Sequence, residues 1–202
     1  ALDELHAQGA VVRRQREAAA PKLAKAVEGH LARLALGGAR VRVTVGSDAE
    51  GDVAGDAVTF LLAANPGSEL APLAKVASGG ELSRVMLALK TVLAEVDQVP
   101  VLVFDEIDTG VGGAVASAIG KRLRVLGRLH QVLCITHLPQ VASQAAHHWC
   151  VEKAERGGRT ATSVRVLKGI HREHEIARML GGLSVTQKTR ATAAELIAEG
   201  MQ

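Results

Sequence analysis

Aromatic side chains are nearly missing from this chain of 202 residues: Phe60, Phe104 and Trp149 are present, and tyrosine is absent. Gripping single-stranded nucleic acid by stacking bases on aromatic platforms needs more of them, which excludes that mode. Cysteine is equally scarce. Cys134 and Cys150 each sit in an apolar, strand-like run, QVLCIT and HHWCVEK, where a small buried thiol fits and neither a disulfide framework nor a metal-ligand set does. No run approaches the roughly 18 uninterrupted apolar residues of a membrane span. The first residues also lack the charged, apolar and small-residue order of a secretory signal. With 48% apolar and 22% charged residues, the composition excludes disorder and predicts one globular domain, or two small ones, in a reducing cytoplasm.

A formal charge of +3 is too small to mark a nucleic-acid binder, but it is unevenly spread: residues 1–45 hold eight Lys/Arg against four Asp/Glu. Arg13, Arg14, Arg16, Lys22 and Lys25 are the densest basic cluster. They could touch DNA phosphates in a salt-sensitive manner or form an ordinary solvated helix face.

From Pro21 onward, Leu23, Val27, Leu31 and Leu34 recur at spacings of three and four, predicting an amphipathic helix over 21–36, opened by the proline and stopped by Gly37-Gly38. Before it, Leu2, Leu5 and Val12 keep a heptad-like step that Gly9 and Arg16 interrupt. A coiled-coil stub and a single surface helix both fit. The β-prone runs 40–45 and 57–64, parted by a Gly/Asp-rich turn, predict a hairpin, and 65–78, with Pro66 and Pro72, reads as irregular. Leu82, Val85, Met86, Leu89, Val92, Leu93 and Val96 then sustain a helical period. VLVF after Pro100 has the continuous apolar composition of a strand buried on both faces, followed by a helix marked by Val115, Ile119, Leu123 and Leu126 and a second strand at 132–136. Strand, helix, strand predicts a parallel α/β sheet. A second hairpin, 149–152 with 163–167 around Arg156-Gly157-Gly158-Arg159, and helices near 173–180 and 186–199 complete the chain.

The chemistry-bearing residues gather at element ends. VLVF runs into Asp105 and Glu106, where an open parallel sheet presents groups to a ligand, although acids also cap surface strands by chance. In phosphoryl chemistry the first would hold Mg²⁺ and the second would orient an attacking water. Ser78-Gly79-Gly80-Glu81 opens the long helix, bringing a hydroxyl and unpaired backbone N–H groups to the positive end of a helix dipole. The same residues suit an ordinary N-cap with Glu81 as capping-box partner. Thr136-His137 ends the next strand, where the imidazole could reach the same ligand or be merely structural. The remaining histidines, including His171 and His174 in HREHE and the pair His147-His148, match no metal motif.

Read in order, these segments resemble an ABC-type ATPase of the chromosome-maintenance, SMC-like branch. The resemblance makes Ser78, Gly79, Gly80 and Glu81 the signature motif, residues 101–105 the Walker B strand with Asp105 on the metal, Glu106 the catalytic acid, Asp108 the D-loop and His137 the switch histidine. Taken further, VASGGELSRVMLALK, VFDEIDTGVGG, ITHLPQVA and EIARMLGG, within residues 73–182, closely resemble the C-terminal part of the RecN family of DNA repair proteins. Residues 1–36 would then be the helical end of a coiled-coil arm and 37–202 the C-terminal lobe of an ATPase head.

No P-loop is found. Gly120-Lys121 is followed by Arg122, and Val115 stands where the first glycine belongs. In the family that loop belongs to an N-terminal lobe, so the resemblance predicts that the chain hydrolyses ATP only when completed by it. The implied protein is a cytoplasmic, nucleoid-associated homodimer. Its heads sandwich ATP and Mg²⁺, with Ser78 and the Gly79 and Gly80 amides on the partner's γ-phosphate and Asp108 reaching across the interface, in DNA double-strand break repair and recombination. Two other classes stay open: the nucleotide-binding subunit of a transporter, against which the basic N-terminal helix, Glu81 and Leu138-Pro139-Gln140 count, and a non-catalytic association module, against which the joint retention of Asp105, Glu106 and His137 counts.

Overall fold

Alanine and charged residues dominate the first thirty positions, and they form one continuous helix, α1 (Leu2–Leu31), in the computed structural model. The structure describes residues 2–47, 56–75, 78–156, 159–182 and 184–201, and the chain divides into two units, Ala1–Gln98 and Val99–Gln202.

In the first unit Pro21 lies inside α1 rather than opening it. A proline leaves the carbonyl four residues back without its helical donor. Here that residue is Glu17, and both it and Pro21 are exposed, so water can serve the carbonyl. The helix also stops earlier than the expected residue 36. Ala35 takes a left-handed φ of 60°, Leu34 N and Leu36 N both donate to Leu31 O, at 2.9 and 3.1 Å, and Leu31, Leu34 and Leu36 all turn into the core. This is a helix cap in which the apolar ends meet.

The predicted hairpin is present as antiparallel β1 (Arg40–Ser47) and β2 (Asp56–Ala63), paired from Arg40↔Ala63 to Ser47↔Asp56. Its Gly/Asp-rich turn lies outside the described residues. The stretch read as irregular contributes a short edge strand, β3 (Ala71–Pro72), placing Pro72 opposite Leu61, where a missing N–H costs little. Helix α1 packs on β1 and on α2 (Gly79–Leu93). One contact decides the fate of the basic cluster. Arg13 Nε donates to Asp56 Oδ1 at 2.5 Å and Arg16 Nη1 to Oδ2 at 3.0 Å, with the Asp56 carboxylate wholly buried. Two of the five cations thus hold β2 to α1.

In the second unit β4 (Val101–Phe104) and β5 (Gln131–Cys134) pair in parallel, Val101↔Gln131 to Phe104↔Cys134, with α3 (Gly113–Leu126) between them in sequence. The α/β class is as expected; the burial of β4 is not. Leu102 and Phe104 are buried, whereas Val101 and Val103 are exposed, Val103 at 66%, as are Leu133 and Ile135 beside them. An unbroken apolar run predicts two covered faces, and among the described residues of this unit only one is covered.

Short helix α4 (Pro139–Ala142) packs on α3. The predicted second hairpin is β6 (His148–Arg156) with β7 (Arg159–Leu167), whose glycine turn lies outside the described residues. Helices α5 (Gly169–Gly181) and α6 (Gln187–Met201) close the unit over Ala142, Ile176, Ala177 and Ala193. Arg172 Nη2 ties α5 to the end of α4 by donating to the carbonyls of Ser143 and Ala145, at 2.9 and 2.7 Å.

Gly120, half of the Gly-Lys pair, has a packing role. A Cβ there would stand 2.8 Å from Gln144 Cγ, 2.9 Å from Gln140 O and 3.2 Å from Val141 Cα. The G120A variant should therefore force α3 and α4 apart and destabilise the second unit by about 1–3 kcal/mol. Urea unfolding followed through the single tryptophan, Trp149, checks this, and an unchanged midpoint would refute it.

Candidate active site

Two groups of predicted residues occur, one in each unit. In the first, Ser78 is the N-cap of α2, with extended backbone (φ −110°, ψ 122°) and its Oγ accepting from Glu81 N at 3.4 Å. The capping geometry foreseen as the simpler alternative is thus present. It leaves the Ser78 hydroxyl proton available and the first-turn amides of Gly79 and Gly80 without intrahelical acceptors, Gly79 being exposed and Gly80 buried. One turn further in, Arg84 is buried, its guanidinium pKa lowered by burial and partly restored by Glu81. It is not among the residues that the motifs single out. Its signal is spacing: Arg84 lies four residues from Gly80 and from Ala88, and all three share the buried stripe.

The second group is built at the ends of β4 and β5. Asp105 and Glu106 leave β4 into solvent, with Glu106 N donating to Asp105 Oδ1 at 2.8 Å. Glu106 takes a left-handed φ of 56°, a conformation that costs a residue with a Cβ on the order of 1–2 kcal/mol and that gathers at functional sites. The chain then closes a turn through Thr109 N to Glu106 O at 3.0 Å. Ile107 is sealed in the core, and the next side chain, Asp108, is driven inward to 4% exposure.

The Asp108 carboxylate has partners within its own chain, at the end of β5: Oδ2 accepts from Thr136 Oγ1 at 2.5 Å and from His137 N at 3.0 Å, and lies 3.2 Å from His137 Nδ1. The Thr136 hydroxyl accepts in turn from Leu138 N at 3.0 Å. His137 is thereby pinned through its backbone, with Nδ1 beside the carboxylate, while its side chain stays 76% exposed. Asp105, Glu106, Asp108 and His137 are therefore brought together as one site edge. Thr136, read only as a strand end, belongs to it as well.

Chemically this edge offers two solvent-facing carboxylates and an oriented imidazole. Asp105 is a hard oxygen donor of the kind Mg²⁺ takes, one or two carboxylates sharing the ion with phosphate and water. Among the described residues no three His, Cys, Asp or Glu side chains converge on a metal site made by protein alone.

No protein-family model matches the chain. It is 45% identical over 203 residues to the DNA repair protein RecN of Treponema pallidum, covering 97% of this chain and 35% of that protein. Against RecN of Vibrio cholerae it is 42% identical over 199 residues, covering 98% and 35%. The chain belongs to the RecN family. It spans about a quarter to a third of the RecN proteins it matches, at 25% for that of Xylella fastidiosa, where identity is 50% over 140 residues. In fold it is similar to the Smc head domain with a coiled coil and joint of Pyrococcus yayanosii, at TM-score 0.53 and 18% identity, covering 89% of this chain and 29% of that one. A chain solved in work on ATP-driven dimerization and DNA stimulated activation of SMC ATPases gives 0.51 at 17%, covering 87% and 99%. RecN membership and an SMC-head fold thus agree with the α/β class.

Cys134 reports on the charges of this RecN-family edge. Burial, with the negative charges of Asp108 and Asp105 adding to it, pushes its thiol from an ordinary 9.0 up to about 12. The reactive thiolate is correspondingly scarce, so at pH 8 alkylation of Cys134 should run at least about a hundred-fold slower in the folded chain than in urea. Equal rates would contradict the burial. The strained backbone of Glu106 gives a second test. Glycine adopts positive φ without penalty, so E106G should raise the urea midpoint, a gain of about 1 kcal/mol, read through Trp149. A lowered midpoint would show that the conformation is not strained.

Proposed function

We propose that this chain is the C-terminal lobe of an ATPase head, with the helical end of a coiled-coil arm, in a RecN-type protein that hydrolyses ATP to ADP and phosphate and uses head closure to hold DNA double-strand ends. The observation that carries the reading is the solvent-facing acid pair and the pinned imidazole at neighbouring ends of parallel strands. A P-loop from an N-terminal lobe of the same protein would complete the site. Support for an absent neighbour comes from the bare apolar face of β4 and β5. Support for the arm comes from the exposed Leu5, Val11 and Val12 in the first half of α1.

In this mechanism Glu106 orients the attacking water and accepts its proton. His137 turns its outer ring nitrogen to the γ-phosphate. Ser78 and the amides of Gly79 and Gly80 receive the γ-phosphate held by a second head, with Glu81 placing that turn. Asp105 would hold Mg²⁺, which when bound neutralises phosphate charge. Because nucleotide binds the closed pair of heads better than the open one, it favours closure, and loss of the γ-phosphate favours release. ATP-driven dimerization, attributed to the SMC ATPases that share the fold, is carried over here as that closure. Placement in the cytoplasm at the nucleoid accords with a DNA partner, and no helix among the described residues is long and apolar enough to cross a membrane.

Glu106→Gln tests the reading. In a head completed by the P-loop lobe it should bind ATP normally, lower turnover by at least about a hundred-fold and accumulate closed dimers on size exclusion. Unchanged turnover would remove Glu106 from its role.

A further inference from the structure

We infer that Asp108 is a positioning residue that acts through His137: its carboxylate fixes the imidazole with the proton on Nδ1 and so leaves Nε2 facing outward as the nitrogen that meets a ligand. The geometry carries this without reference to nucleotide. One oxygen, Oδ2, accepts hydrogen bonds from the Thr136 hydroxyl at 2.5 Å and the His137 amide at 3.0 Å, and His137 Nδ1 lies 3.2 Å from it, within ion-pair range. A carboxylate only accepts, so it attracts a proton on the neighbouring Nδ1 and repels a lone pair there. An imidazole free in water favours the other tautomer, with its proton on Nε2. Asp108 is 4% exposed and cannot exchange these partners for water, whereas the ring it holds is 76% exposed. Its place in sequence adds a link. Asp108 follows Glu106 by two residues, across the buried Ile107, so the turn that presents the acid also carries the clamp on the imidazole. Displacing either strand end strains the same hydrogen bonds. The consequence for catalysis rests on the ATPase reading above; the tautomer does not.

Long-range ¹H–¹⁵N spectra of the histidine rings in the full chain, at a pH where the ring is neutral and with His137 assigned through H137Q, read the tautomer directly. Nδ1–H is expected for His137 in the unmodified chain, and a predominant Nε2–H form there overturns the proposal whether or not any variant folds. Asp108→Ala should return His137 to Nε2–H, and Asp108→Asn, which keeps an acceptor oxygen, should restore much of the Nδ1–H form. In the completed head, D108A should lower kcat at least about ten-fold with KM for ATP within about two-fold, a misorientation effect, and D108N should recover part of it. A D108A head with unchanged kcat, while E106Q stops turnover, refutes the positioning role and leaves the ATPase reading standing. An E106Q head with normal turnover refutes that reading, while the tautomer result is decided on its own.

Discussion

A buried carboxylate that has lost its water must find donors in the protein, and the donors available to Asp108 lie at the end of a different strand. That requirement ties the turn after β4 to the end of β5. A parallel backbone ladder holds β4 and β5 side by side, and Leu102 and Phe104 are buried beneath it, but packing is tolerant of small rotations. Hydrogen bonds from Thr136 and His137 to one oxygen are not. They convert two adjacent strand ends into a single rigid edge, on which the carboxylates of Asp105 and Glu106 and the ring of His137 face solvent. The left-handed φ of Glu106 belongs to the same arrangement: the chain must turn sharply enough to expose one acid and bury the next but one.

The apolar surface left open reads in the same physical terms. Val101, Val103, Leu133 and Ile135 form one bare face of the parallel pair, and on the β6–β7 ribbon Trp149 lies opposite Val166, and Val151 opposite Val164, all four exposed. Residues of this kind usually lie under a further layer. The chain corresponds to about a third or less of the RecN proteins it matches, and a two-lobed head would cover such faces with chain from elsewhere in the protein.

Much of this was legible in the sequence, and the failures have physical causes. The period of α2, the parallel strand, helix, strand order and both hairpins follow from apolar spacing. Pro21 misled because proline is common at helix starts, yet an exposed helix surface tolerates one inside. VLVF misled because composition records which faces can be buried, not which are covered by the residues at hand. The acid pair and His137 were legible as chemistry at strand ends. The inward turn of Asp108 was not, because no local pattern shows that its donors stand 28 and 29 residues along the chain. The basic cluster on α1 shows the same limit, since Arg13 and Arg16 meet Asp56 only through the tertiary fold.

Central to the account is that the joined edge of β4 and β5 and the serine-glycine turn of α2 both respond to the terminal phosphate of a nucleotide. Amide hydrogen exchange of the two-lobed head, with a non-hydrolysable triphosphate compared against the diphosphate, tests this most directly. Protection that appears at Glu106, Thr136, His137 and Ser78 through Gly80 with the triphosphate, and is lost with the diphosphate, is the predicted result. Protection identical for both nucleotides, or confined to surfaces away from these residues, would contradict it.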